Sequence, residues 1–183
     1  MKWLIASDIH GSAFYAQKLV EAIEREGAER VLLLGDLLYH GPRNDLPKDY
    51  QPKKVIDLLN AKKEKLLCVR GNCDTEVDQM VLEFPILSDY ALICEEGVRI
   101  YASHGHKFSP QSLPPLVKGD VFLYGHTHIP AYETVGGCVC INPGSVSIPK
   151  EDSHHGYMIF ENGCFFWKTL EGEIVREESV KTD

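Results

Sequence analysis

The chain carries no surplus of positive charge. Against 27 Asp and Glu stand 19 Lys and Arg, a formal net charge of −8, which argues against nucleic acid or an anionic membrane as the main partner. It lacks any apolar run near the roughly 18 residues of a membrane span. Its start, MKWLIASDIHG, reaches Asp8 and His10 too soon to read as a signal peptide. Its six cysteines (Cys68, Cys73, Cys94, Cys138, Cys140 and Cys164) form no C-x-x-C or other zinc spacing. The thiols therefore read as reduced and mostly small buried side chains of a cytoplasmic protein. Internal repeats, low-complexity tracts and linkers are missing too. At 183 residues, a single domain over residues 1–183 is expected, with a core large enough to stand without staples.

What is present in the first part is alternation. KWLIAS (2–7), ERVLLLG (29–35) and KLLCVR (65–70) read as short strands, and SAFYAQKLVEAIEREG (12–27) as a helix that Ser12 caps and Gly27 ends. A second helix is expected near KKVIDLLNAKK, after a loop rich in Pro, Asn and Asp (40–52). Such a βαβαβ order implies a parallel sheet covered by helices, an α/β fold. Beyond about residue 88 the pattern becomes strands joined by tight turns at Glu96-Gly97, Gly136-Gly137, Asn162-Gly163 and Glu171-Gly172, mostly antiparallel, with ESVKTD as a frayed tail.

Five of these strands run into polar clusters: Asp8-Ile9-His10, Gly35-Asp36, Gly71-Asn72, His104-Gly105-His106 and Gly125-His126-Thr127-His128. In an open α/β sheet the crevice beyond the carboxyl ends of the strands is where ligands bind, so clusters far apart in sequence can meet there. Asp8 and His10, like His126 and His128, stand two apart, which in extended chain points both side chains one way. Glycines before Asp36, Asn72 and His126 allow the backbone to approach closely. Asp8, His10, Asp36, Asn72, His104, His126 and His128 are too many donors for one ion. With one bridging carboxylate they give four contacts to each of two cations, an arrangement able to activate water and clamp a phosphate in an in-line displacement.

Through D-x-H (8–10), G-D (35–36), G-N-x-D (71–74), H (104) and G-H-x-H (125–128), the chain resembles the calcineurin-like metallophosphoesterases. Within that superfamily, GDLLYHGPRNDLP, VRGNCDTEVDQM, SHGH, YGHTH and INPGSVSIPK are similar to the YfcE-type bacterial phosphodiesterases. The resemblance implies a four-layer α/β/β/α sandwich. It also implies one ion on Asp8, His10, Asp36 and His128 and a second on Asp36, Asn72, His104 and His126, with a hydroxide between them attacking phosphorus directly. Two divalent ions are implied, Mn²⁺ first and Zn²⁺, Ni²⁺, Co²⁺ or Fe²⁺ as alternatives that the mixed donors also suit.

Where many superfamily members carry a histidine that protonates the leaving oxygen, this chain has Cys73. A thiol near cations favours its thiolate and is a poor proton donor, so Cys73 reads as space-filling in a pocket without a dedicated acid. His106 and His40 are substitutes for that acid and, with Arg43, candidates to contact substrate; Asp74 is expected to orient a ligand histidine from behind. Asn72 and His104, and with them Cys73 and Asp74, form the candidate catalytic set. A small phosphodiester is the expected substrate. A phosphomonoesterase or nucleotidase, or a non-catalytic scaffold of the Vps29 kind, are the alternatives. His154-His155 read as a solvated loop and INPGS (141–145) as a turn or as support for the site's rim. Phe165, Phe166 and Trp167 are candidates for either core or a subunit interface of a homo-oligomer.

Overall fold

The computed structural model describes residues 1–180. The expected opening is there: β1 (Trp3–Ala6), α1 (Ala13–Glu26), β2 (Arg30–Leu33), α2 (Pro52–Asn60) and β3 (Leu66–Cys68), with β1, β2 and β3 paired in parallel. Ser12 accepts the N–H of Tyr15 at 3.3 Å, and Gly27, in left-handed conformation (φ 61°), donates to Ile23 and Glu24, so α1 is capped at both ends by the residues its sequence supplies. Its buried side is Ala13, Ala16, Leu19, Ala22 and Ile23. Alternation along β1 and β2 sends Leu4, Ala6, Val31 and Leu33 to this helical layer and Ile5, Leu32 and Leu34 to the opposite face.

That opposite face packs on a second sheet made from β4 (Ala91–Glu95), β5 (Val98–Ala102), β6 (Val121–Leu123), β7 (Pro130–Val135) and β8 (Cys138–Pro143), in the order β4-β5-β6-β8-β7. Ile93, Ile100, Val121, Leu123 and Ile141 complete the inter-sheet core. The turns at Glu96-Gly97, Gly136-Gly137 and Asn162-Gly163 all have both residues at positive φ, the twist that two-residue hairpins favour. The later strands do not form a sheet of their own, however. β9 (Gly156–Glu161), β10 (Cys164–Thr169) and β11 (Ile174–Ser179) return to the first sheet by antiparallel pairing of β9 with β1. Within the second sheet, β5-β6 and β6-β8 are parallel. Periodicity reports burial, and it does not report which strand a hairpin unit joins.

Three of the four expected layers are thus helix, sheet and sheet. The outer face of the second sheet, with Tyr101, Phe122 and Tyr124, is covered by Phe108, Leu113 and Leu116 from an irregular segment. Pro110, Pro114 and Pro115 bar a helix there. Glu178 and Ser179, expected in a frayed tail, lie in β11; residues 181–183 fall outside the described residues. Phe165 and Trp167 are buried in the inter-sheet core and Phe166 packs toward the helices, so these aromatics are core and do not supply an exposed interface. Cys94 is exposed, against expectation, while Cys68, Cys138 and Cys140 are buried; all six thiols are free. No helix among the described residues is long and apolar enough to cross a membrane.

Candidate active site

The five polar clusters converge at one end of the two sheets, past β1, β2, β3, β5 and β6. The route differs from the one expected of extended chain. Asp8, His10, Asp36, His126 and His128 all take left-handed backbone conformations (φ 59°, 48°, 56°, 65° and 64°). Side-chain-bearing residues adopt this region rarely and at a cost, which is characteristic of functional sites held by their surroundings. Paired residues therefore converge through tight turns. Packing beneath them is equally close: a Cβ on Gly71 would sit 2.1 Å from Asp36 Oδ1, and one on Gly125 would sit 2.0 Å from Ser7 Oγ.

Two donor groups share one carboxylate. Asp8 Oδ1 lies 3.1 Å from His128 Nε2 and 3.4 Å from His10 Nε2, and those two nitrogens are 3.3 Å apart. His104 Nε2 is 3.0 Å from Asn72 Oδ1 and 3.2 Å from His126 Nδ1. Asp36 Oδ2 stands between the groups, 3.7 Å from His10 Nε2 and 3.4 Å from His104 Nε2. Asp8, His10, Asp36, His104 and His128 are all buried.

The backbone fixes which ring nitrogen faces the centre. Nδ1 of His10, His104 and His128 lies 2.7, 2.6 and 2.8 Å from the carbonyl oxygens of Tyr39, Leu34 and Ile148. A carbonyl only accepts, so each Nδ1 carries the hydrogen and Nε2 is the atom offered inward. The carboxylates are oriented too. Asp8 Oδ2 accepts from Ser7 Oγ at 2.6 Å and from the His126 N–H at 3.1 Å, and Asp36 Oδ1 accepts the Cys73 N–H at 2.8 Å. Asp8 Oδ1, though buried, forms no hydrogen bond of proper geometry with its imidazole neighbours. An oriented but uncompensated buried carboxylate oxygen facing two imidazole nitrogens fits a cation.

Charge supports the same fit. Burial pushes the Asp8 and Asp36 carboxyls up, but the imidazoles of His10 and His128 hold Asp8 well below the usual carboxylate range, and His104 holds Asp36 down. Burial works against protonation of His104, yet the Asp36 and Asp8 carboxylates raise it to about 9, and Asp8 likewise raises His10. In the cation-free chain, the proton that His104 retains and the raised proton affinity of His10 offset the charge of the two buried carboxylates. A divalent cation takes over that role.

Asp74 does not orient a histidine. Its buried carboxylate accepts three backbone N–H groups, those of Asp36 (2.8 Å), Leu37 (2.9 Å) and Gly71 (2.7 Å), tying the turn after β2 to the turn after β3. Burial raises its pKa although these bonds oppose the shift. Cys73 is half-buried beside Asp36, and burial with the Asp36 charge pushes its thiol up to about 12. A cavity of about 400 Å³ opens over Asp36, Asn72, Cys73 and His128, and Arg43 lines it. His40 and His106 do not. His40 packs edge-on to Tyr39 and Tyr50, while exposed His106 has its ring centroid 5.4 Å from that of His104. His155 is no solvated loop residue: it stacks on Tyr15 with centroids 4.0 Å apart and shares a hydrogen bond with its hydroxyl.

The resemblance implied that INPGS supports the site's rim, and the structure shows how, adding Ser147, which the sequence did not single out. Ser145 Oγ and Ser147 Oγ both donate to the Asp8 carbonyl (2.8 and 3.0 Å), and Asn142 Nδ2 donates to the Gly125 carbonyl (2.8 Å). The INPGSVS segment therefore braces the turns that carry Asp8 and His126. Its dense Asn, Gly and Ser after a strand was the available signal. Lys150 and Asn44 at the cavity had none.

Two stacked mixed sheets whose strand ends pool buried carboxylates, imidazoles and an amide define a centre for divalent cations. Residues 1–163 match the calcineurin-like phosphoesterase superfamily domain, and the chain belongs to that family. It is 47% identical over 162 residues, 88% of either chain, to phosphodiesterase YfcE of Escherichia coli K12. Over 153 residues (79% of this chain, 83% of the relative) it is 28% identical to phosphodiesterase MJ0936 of Methanocaldococcus jannaschii. The solved structure of YfcE, a phosphoesterase from E. coli, superposes with a TM-score of 0.95 at 43% identity, covering 99% of this chain and 100% of that one. Zinc-complexed Vps29 of Entamoeba histolytica, at 18% identity and TM-score 0.61 over 99% of this chain and 100% of its own, shares the fold alone. The chain is a metal-dependent phosphoesterase that works with divalent ions.

Proposed function

We propose that this chain is a cytoplasmic phosphodiesterase with a two-metal centre acting on small phosphodiesters. The observation that carries the reading is Asp36 Oδ2, set 3.7 Å from His10 Nε2 and 3.4 Å from His104 Nε2 so that one carboxylate serves both donor groups. Asp8, His10, Asp36 and His128 hold one ion; Asp36, Asn72, His104 and His126 hold the other. When bound, such a pair supplies Lewis acidity toward phosphate oxygens and lowers the pKa of water enough to provide the nucleophile at neutral pH. Manganese is the first choice, and the mixed oxygen and nitrogen donors also suit Zn²⁺, Ni²⁺, Co²⁺ or Fe²⁺.

The protein's own part is placement and charge. The carbonyls of Tyr39, Leu34 and Ile148 fix the imidazole tautomers, and Asp74 holds the Asp36 turn against the Gly71 turn. With two cations bound beside it, the half-buried Cys73 thiol is drawn toward its thiolate and is a poor proton donor to a leaving oxygen. Diesters with good leaving groups are therefore the natural substrates, because departure then needs no proton donor. The likeness to the YfcE phosphodiesterase over 88% of the chain supports the diester class. The test is turnover by chelator-stripped protein with Mn²⁺ added back. The reading predicts faster cleavage of bis(p-nitrophenyl) phosphate than of p-nitrophenyl phosphate. Faster monoester cleavage would make the chain a phosphomonoesterase.

A further inference from the structure

Lysines and arginines on this acidic chain are mostly committed. Lys18, Lys62, Lys63, Lys107 and Lys168 each sit on a carboxylate, as do Arg70, Arg99 and Arg176, while Arg25 and Arg30 donate to backbone carbonyls. Arg43 and Lys150, like Lys53, Lys54 and Lys118, have no carboxylate partner among the described residues; of these, Arg43 and Lys150 are the ones placed at the active-site cavity. Both line the cavity over Asp36, and the only carboxylate lining it with them is Asp36 itself, which already faces His10 and His104.

The two cations come from separate loops with anchored backbones. The Arg43 loop is held where Asn44 Nδ2 donates to the His40 carbonyl at 2.9 Å and where Ser12 Oγ donates to the Lys48 carbonyl at 2.5 Å. The Lys150 N–H donates to the His128 carbonyl at 3.1 Å. Both residues are exposed, whereas Asp36 and His128 below them are buried. What sets Arg43 and Lys150 apart is their place: free cations at the solvent side of a cavity built over buried phosphate-site donors, on a chain of net charge −8, are positioned to attract an anion.

Resting on the phosphodiesterase reading, we propose that Arg43 and Lys150 recognise a second anionic group carried on one arm of the diester. The substrate class is then a phosphodiester bearing an additional phosphate or carboxylate, and these residues set specificity. A monoester's extra charge lies on the reacting phosphate, among the buried donors; Arg43 and Lys150 stand at the outer level, where a substituent of the ester arm would lie. The planar guanidinium gives paired hydrogen bonds to such a group and the ammonium a compact charge.

The test uses two chromogenic esters that differ only in the second charge, thymidine 5′-(p-nitrophenyl phosphate) and its 3′-phosphorylated form. With the Mn²⁺-loaded protein, kcat/KM for the 3′-phosphorylated ester exceeds that for the other by at least about tenfold, as charge-assisted hydrogen bonds provide. In R43A/K150A that ratio collapses toward one. Equal kcat/KM for the two esters, or a ratio that survives the double substitution, overturns the proposal. A double variant whose main loss is turnover of p-nitrophenyl phosphate also overturns it, in favour of monoester recognition. If neither ester is cleaved, the phosphodiesterase reading fails. The inference is then decided by calorimetry on cation-free protein: thymidine 3′,5′-diphosphate must bind more tightly than thymidine 5′-phosphate, with the difference lost in R43A/K150A, and equal affinities reject it.

Discussion

Asp74 and Asp36 are joined through the backbone: the Asp74 carboxylate accepts the N–H of Asp36 at 2.8 Å while its side chain also holds Leu37 and Gly71. A carboxylate is suited to this because it only accepts. Asp74→Asn turns an NH₂ toward those donors, so it is expected to cost about 1–3 kcal/mol of stability and to weaken divalent-ion binding without removing a ligand. Urea unfolding and Mn²⁺ titration of the variant check both effects. Wild-type values for each would mean that the turn does not depend on Asp74.

Cation binding should release protons. His104, raised to about 9, holds a second proton at neutral pH in the cation-free chain and must give it up to offer Nε2, and His10 is shifted in the same direction. Affinity for Mn²⁺ therefore rises with pH and levels off only above about 9. Calorimetry in buffers of different ionisation enthalpy measures the release directly. An apparent enthalpy independent of buffer at neutral pH would show that the imidazoles were already neutral.

Cys73→Ala separates a space-filler from a proton donor. Loss of a general acid costs about 10²–10⁴-fold in rate, so a variant that stays well inside a hundredfold of wild type supports the space-filling role. Asp36→Asn, which removes the shared carboxylate, is expected to abolish turnover. Equal losses in the two variants would give Cys73 a chemical role. A thiol pushed up to about 12 also predicts slow alkylation by iodoacetamide at neutral pH in the cation-free protein.

Glu26 gives stability a separate dependence on pH. Its mostly buried carboxylate accepts from Lys168 Nζ and Tyr157 Oη, each at 2.6 Å. Burial alone would raise its pKa, but these partners lower it. A carboxylate lowered on folding stabilises above its unfolded value, and this contribution disappears as pH falls through the folded value. Glu26→Gln is expected to cost about 1–2 kcal/mol at pH 7 and less at acid pH, where the native group is protonated too. Urea unfolding at both pH values tests this, and an equal loss at both would assign the effect to packing.

Much of this site was legible because its donors are written as clusters at the ends of apolar strands. Asp8, His10, Asp36, Asn72, His104, His126 and His128 all meet where strand-end logic puts them. The mechanism of convergence was not legible: the left-handed turn at Asp8 is held by Ser145 and Ser147, which bond its carbonyl from more than a hundred positions away, and the turn that carries His126 is held by Asn142 and packs on Ser7. Asp74 looked like a histidine's partner because its sequence neighbours are ligands, whereas its bonds cross to the turn after β2. Lys150 follows a proline in an ordinary loop, and only the fold brings it to the cavity that Arg43 lines. Local pattern reached the chemistry, and long-range packing supplied its geometry.

The central claim is that Asp36 is shared by two ions. Anomalous diffraction from crystals of the Mn²⁺-loaded protein tests it directly. The account predicts two manganese peaks about 3.5–4 Å apart, both in contact with Asp36, one beside Asp8, His10 and His128 and the other beside Asn72, His104 and His126. A single peak at saturating Mn²⁺, or two peaks with Asp36 touching only one, would contradict it.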